Sequence, residues 1–239
     1  MSLRIANKPV GRPRYTRKAS PAHGRESMNP AGSILGIIGN ELKLHAPFTF
    51  VGALTGIAIM VFFTVVRIPR SVSASLFWGL HPIHILLSAL VTAGMYRLHS
   101  RGKLWTTILI GYFGSIGIAT FSDCIIPYLG ESLLALPNKG IHLGFIEKWW
   151  LVNPLALAGI SIAYWWPRTR FPHAGHVLLS TWASLFHMVM ALGNQPSPLT
   201  TAVIVLFLFI AVWIPCCLSD IVFPLLFSRE PAQRGRTLP

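Results

Sequence analysis

Two histidines three residues apart, His81 and His84, stand at the head of a long apolar run, and a serine follows at Ser88. The same pattern returns as His173, His176 and Ser180 at the head of another apolar run. Leu86 and Leu87 are matched by Leu178 and Leu179. Positions i, i+3 and i+7 of a helix fall within a narrow arc, so each copy makes one polar stripe. A second echo follows each stripe: Ser122, Asp123 and Pro127 are matched by Ser219, Asp220 and Pro224. Imidazole and carboxylate together are usual ligands for divalent transition metals. Both also titrate, which suits proton movement.

The setting makes these residues costly. The chain of 239 residues is 53% hydrophobic and 11% charged, against roughly 25% charged in a soluble domain. Several stretches reach the about 18–20 apolar residues that cross a bilayer. The expectation is an all-α membrane protein with six transmembrane helices over 46–66, 76–97, 105–128, 149–166, 173–192 and 199–227. Gly52 and Gly56 in the first, and Gly111, Gly114 and Gly117 in the third, have the spacing of close helix packing.

Charge sets the orientation. The net charge of +13 would suggest nucleic acid in a soluble protein, but the cations fall between and before the apolar runs. With the N-terminus inside, the inner segments hold 16 Lys and Arg and the outer ones hold four, Arg67, Arg70, Lys139 and Lys148. That bias predicts both termini in the cytoplasm.

Three spans per unit is an odd number, so two repeated units cross in opposite senses. This predicts a 3+3 inverted-topology repeat, a construction common among transporters. Leu44 and Pro47 also align with Leu151 and Pro154, and Gly52 with Gly159. The units are expected at 41–130 and 149–228, joined by an outer loop at 131–148 in which Glu131 and Glu147 are solvated. Residues 1–40 read as a basic disordered tail touching anionic lipid, and 229–239 as a short basic tail. An Arg-rich organelle transit peptide is the alternative for the first tail, with an organelle inner membrane instead of the cell inner membrane.

Depth then follows. His81, His84 and Asp123 fall toward the outer face, with His187 or Asn153 as additions; His173, His176, Asp220 and His45 fall toward the inner face. The leading expectation is a transporter or permease for a small cation, a divalent transition metal above all, with metal sites at His81, His84, Asp123 and at His173, His176, Asp220. With enough tilt the two sets meet near the midplane. Ser88 and Ser180 are expected to bond backbone or histidine. The rival readings are a membrane-embedded redox protein holding haem b between His84 and His187, a metal-dependent enzyme, and a non-catalytic assembly factor in which the histidines only orient helices. Cys124, Cys216 and Cys217 read as small buried hydrophobes, though thiols beside the aspartates suit a softer ion. Expected partners are the bilayer, a small cation and further copies of the chain, with no nucleic acid.

Overall fold

A computed structural model of the chain describes residues 69–100, 103–167, 170–192 and 196–227, with positions 43, 47, 50–52, 54–59, 61–63, 65 and 66. Its regular structure is helical, and no strand occurs among the described residues. Helix α1, Arg70–His99, starts behind Pro69, whose extended ψ of 142° breaks the chain direction, and stops at the extended Ser100. Helix α2, Leu104–Thr120, runs through a π-helical turn, Phe121–Ile125, into α3, Ile126–Leu133. After the short α4, Gly144–Glu147, come α5, Trp149–Trp165, and α6, Arg170–Ala191. Helix α7, Pro198–Cys217, is capped by Ser197, whose Oγ accepts the Thr200 N–H at 3.1 Å. It continues through a second π-helical turn, Leu218–Val222, into α8, Phe223–Leu226.

Helices occupy the stretches expected for spans two to six. Among the described residues, three are long and apolar enough to cross a membrane: Arg70–Leu98, the continuous run Leu104–Leu133, and Pro198–Cys216. With 17 residues, α5 extends only about 26 Å, short of a hydrocarbon core of about 30 Å. Helix α6 is long enough at 22 residues, but three histidines and its serines dilute its hydropathy. Leu109, Phe113, Leu206 and Ile214 point outward and exposed, a face that water would not favour and lipid would.

The hub is α1, which packs along α6, α5 and α2. Small residues let the backbones close up: Ala89 and Ala93 of α1 lie in one buried cluster with Ile160 and Ala163 of α5. Gly159 has no room for a side chain, since a Cβ there would strike the carbonyl oxygen of Leu86. Because the obstacle is backbone, it cannot swing aside. Gly159→Ala is therefore expected to cost about 1–3 kcal/mol, read as a lower unfolding temperature in detergent; an unchanged temperature would mean that α1 and α5 slide apart freely. Gly52 is packed in a similar way against α6, with Thr181 Oγ1 3.0 Å from where its Cβ would lie.

The repeated Ser-Asp-Pro motifs fold alike. Each begins one residue into a π-helical turn, and each proline sits in the first turn of the helix that resumes. In the π register the Ile126 N–H bonds the Phe121 oxygen. The next N–H in line would belong to Pro127, which has none, so the Ser122 carbonyl loses its partner. Ser184 Oγ of α6 donates to that oxygen at 3.0 Å. A gap in one helix is thus filled from another, and the π turn turns Asp123 inward. Such turns concentrate where a helix carries a functional side chain.

Candidate metal centre

His81 and His84 leave α1 on one side and meet Asp123. Both Nδ1 atoms lie on the same carboxylate oxygen, Oδ2, at 2.8 and 2.6 Å. The other oxygen, Oδ1, accepts from Ser122 Oγ at 2.7 Å and from Ser180 Oγ of α6 at 2.9 Å, with Ser184 Oγ at 3.4 Å. All of these side chains are buried. An ionised carboxylate only accepts, so each Nδ1 carries its hydrogen, and in a neutral imidazole the lone pair is then left on Nε2. Among the described residues, the only charge-bearing partners of Asp123 are imidazoles. A negative charge at such depth is costly unless a proton on an imidazole, or a bound cation, offsets it.

The two Nε2 atoms have different surroundings. That of His81 lies against Gly144, with no space for a Cβ between them, while its ring stacks on Phe77 at 5.3 Å between centroids. The start of α4 therefore closes over His81. His84 instead faces α6 and α7: its ring lies 4.8 Å from that of His176. Ligand atoms of His84, His176 and Cys216 all lie within 4.8 Å of one another, as do those of His81, His84 and Asp123. His84 belongs to both groups. No described hydrogen bond engages its Nε2, which is fully buried.

The structure thus brings together five of the residues singled out by sequence: His81, His84, Asp123, His176 and Ser180. Two layers were expected, or with enough tilt a meeting near the midplane; His84 and His176 meet in one cluster. Depth explains this: α1 begins at Arg70 rather than 76, which puts His84 near its middle, and Asp123 lies ten residues, about 15 Å, before the end of the run at Leu133. His173 and Asp220 have described backbone, in α6 and the second π turn, but their side chains lie outside the described residues, as does His45 altogether. Asn153 is engaged elsewhere, accepting from Tyr112 Oη at 2.9 Å. Ser88 is buried, and its Oγ has no partner among the described residues.

Ser180, expected to bond backbone or histidine, donates instead to the Asp123 carboxylate. Glu131 also stands apart from expectation. It is not solvated: it is 1% exposed. Its Oε1 meets Nδ1 of His187 at 2.6 Å and its Oε2 accepts the Gly140 N–H at 3.1 Å. The reason is that the helix expected to end at 128 runs on through α3 to Leu133, so that Glu131 falls inside it and not in a loop. Glu147, by contrast, has a side chain 42% exposed. Cys216 is buried against Val177 and Val212, as expected of a small hydrophobe, and its thiol also lies with His84 and His176.

Compared with protein-family models, with curated proteins and with solved structures, the chain matches none.

Proposed function

We propose that this chain is a membrane transporter for a small cation of the transition-metal class, built from two three-helix units of opposite orientation. The observation that carries the reading is the buried junction of His84, His176 and Cys216, backed by Asp123. His84 and His176 hold equivalent places in the two repeated stripes, so an ion between them sits where the two units meet. That is where a rocking motion of one unit against the other would change its access.

Packing supports the repeat. Gly52 and Gly159 are equivalent in the sequence alignment, as are Thr181 and Ala89. Gly52 packs on Thr181, and Gly159 on Leu86 and Ala89. Each unit's first helix therefore leans on the other unit's second. The cross-contacts of the π turns agree: Ser122 meets Ser180 and Ser184, while Ser219 Oγ lies 3.3 Å from Thr92 Oγ1, the place equivalent to Ser184. A charged tail on anionic lipid and cytoplasmic termini complete the proposal.

The rival readings gain less. An enzyme working through metal-activated water needs a base beside it, and Asp123 already accepts four hydrogen bonds. The haem reading needs His84 and His187 to face one iron, but Phe77 packs edge-on to His187 and stacks on His81. The deciding measurement is metal flux into proteoliposomes loaded with a metal-sensitive dye. His84→Ala and His176→Ala are each expected to abolish uptake while the protein remains monodisperse. Undiminished flux in both variants would sink the proposal.

A further inference from the structure

We infer that the cation is a divalent, thiophilic one of the zinc class, held by Nε2 of His84, an imidazole nitrogen of His176 and Sγ of Cys216, with Asp123 as the carboxylate that orients His84 and not as a ligand. This deepens the transporter reading and rests on it.

The division of labour follows from the bonds. Both oxygens of Asp123 are already taken, two donors on each. A metal ion in that place would have to displace imidazole or hydroxyl hydrogens. On the far side of His84, however, Nε2 is buried without a described hydrogen bond and its ring faces His176. A carboxylate on one ring nitrogen and a metal on the other is the usual arrangement of a ligating histidine: the carboxylate selects the tautomer and raises the basicity of the free nitrogen.

Donor type selects the ion. Two imidazoles and a thiol suit zinc and its relatives, whereas magnesium, calcium and manganese ask for oxygen. Charge agrees with a divalent ion, because a thiolate at Cys216 and the carboxylate of Asp123 together neutralise two positive charges. Distances agree as well. Zinc binds nitrogen at about 2.0 Å and sulfur at about 2.3 Å, so donors on one tetrahedral ion lie roughly 3.3–3.7 Å apart. Donors already within 4.8 Å need to close by about an ångström. One feature marks the site as asymmetric: in the repeat of the Ser-Asp-Pro motifs, the position equivalent to Cys216 is Ala119, so the thiol comes from one unit alone.

Cobalt(II) tests this directly, since it fills zinc sites and shows a sulfur-to-metal charge-transfer band when a thiolate is bound. The full-length protein in detergent, titrated with Co²⁺, is expected to show that band and to lose it on adding Zn²⁺ but not Mn²⁺. Cys216→Ser should remove the band, whereas Cys124→Ser and Cys217→Ser keep it. Asp123→Asn should keep the band with affinity lowered by about 10–100-fold. Cobalt bound without the band, a band that follows Cys217, or displacement by Mn²⁺ would overturn the inference while leaving a cation transporter in place. A thiolate band lost in Cys216→Ser, in a protein with no flux in liposomes, would instead uphold the site and remove the transport reading.

Discussion

Asp123→Ala is expected to destabilise the detergent-solubilised protein by about 3–5 kcal/mol, the cost of removing one partner from a buried charged cluster. The wild-type carboxylate ties three helical elements together: imidazoles of α1 on Oδ2, and hydroxyls of its own π turn and of α6 on Oδ1. Alanine leaves two Nδ1–H groups and two hydroxyls facing a void. Asparagine behaves differently. Its oxygen can face the histidines and its amide can donate to the serines, whose hydroxyls rotate, so Asp123→Asn should lose only about 1 kcal/mol. Unfolding temperatures of the two variants, followed by tryptophan fluorescence, separate hydrogen-bond geometry from charge. Equal losses would mean that the charge, and not the bonding pattern, holds the three elements.

Removing Glu131 is expected to have an effect of similar size for a different purpose. Glu131→Ala removes the partner of the buried His187 Nδ1 and of the part-buried Gly140 N–H, again about 3–5 kcal/mol. The same carboxylate region anchors the turn after α3, where the Leu136 N–H bonds the Glu131 carbonyl at 2.9 Å and the Asn138 N–H reaches Ala191 of α6 at 3.2 Å. Protease should therefore cut residues 134–143 faster in the variant. A buried ionic pair replaced on both sides by apolar groups often recovers its stability, so Glu131→Leu combined with His187→Phe should regain most of the loss. A double variant as unstable as the single one would show that the pair does more than hold α3 to α6.

These two carboxylates mark where local pattern stops being informative. The stripe of His81, His84 and Ser88 is legible because helical spacing alone puts its members on one side. The Ser-Asp-Pro motifs are legible as repeats, and the π turns beneath them are a consequence of where proline removes an N–H. The burial of Glu131 is not legible, because the run of apolar residues thins after 128 while the helix itself continues. Only the pairing of Glu131 with His187 of α6 shows that this last stretch is packed inside.

The amino-acid order determined the apolar helices, the places where they break, and the paired imidazoles and carboxylates, since each depends on neighbours a few residues away along the chain. Tertiary structure decided which helix faces which. It set both histidines of α1 on one oxygen of Asp123, gave Ser180 and Ser184 of α6 to the first π turn, and joined Cys216 to His84 and His176. Those choices rest on contacts between residues far apart in sequence, through backbones that approach only because Gly159 and Gly52 leave room. Helical periodicity states which side of a helix is polar; close packing alone states what that side meets.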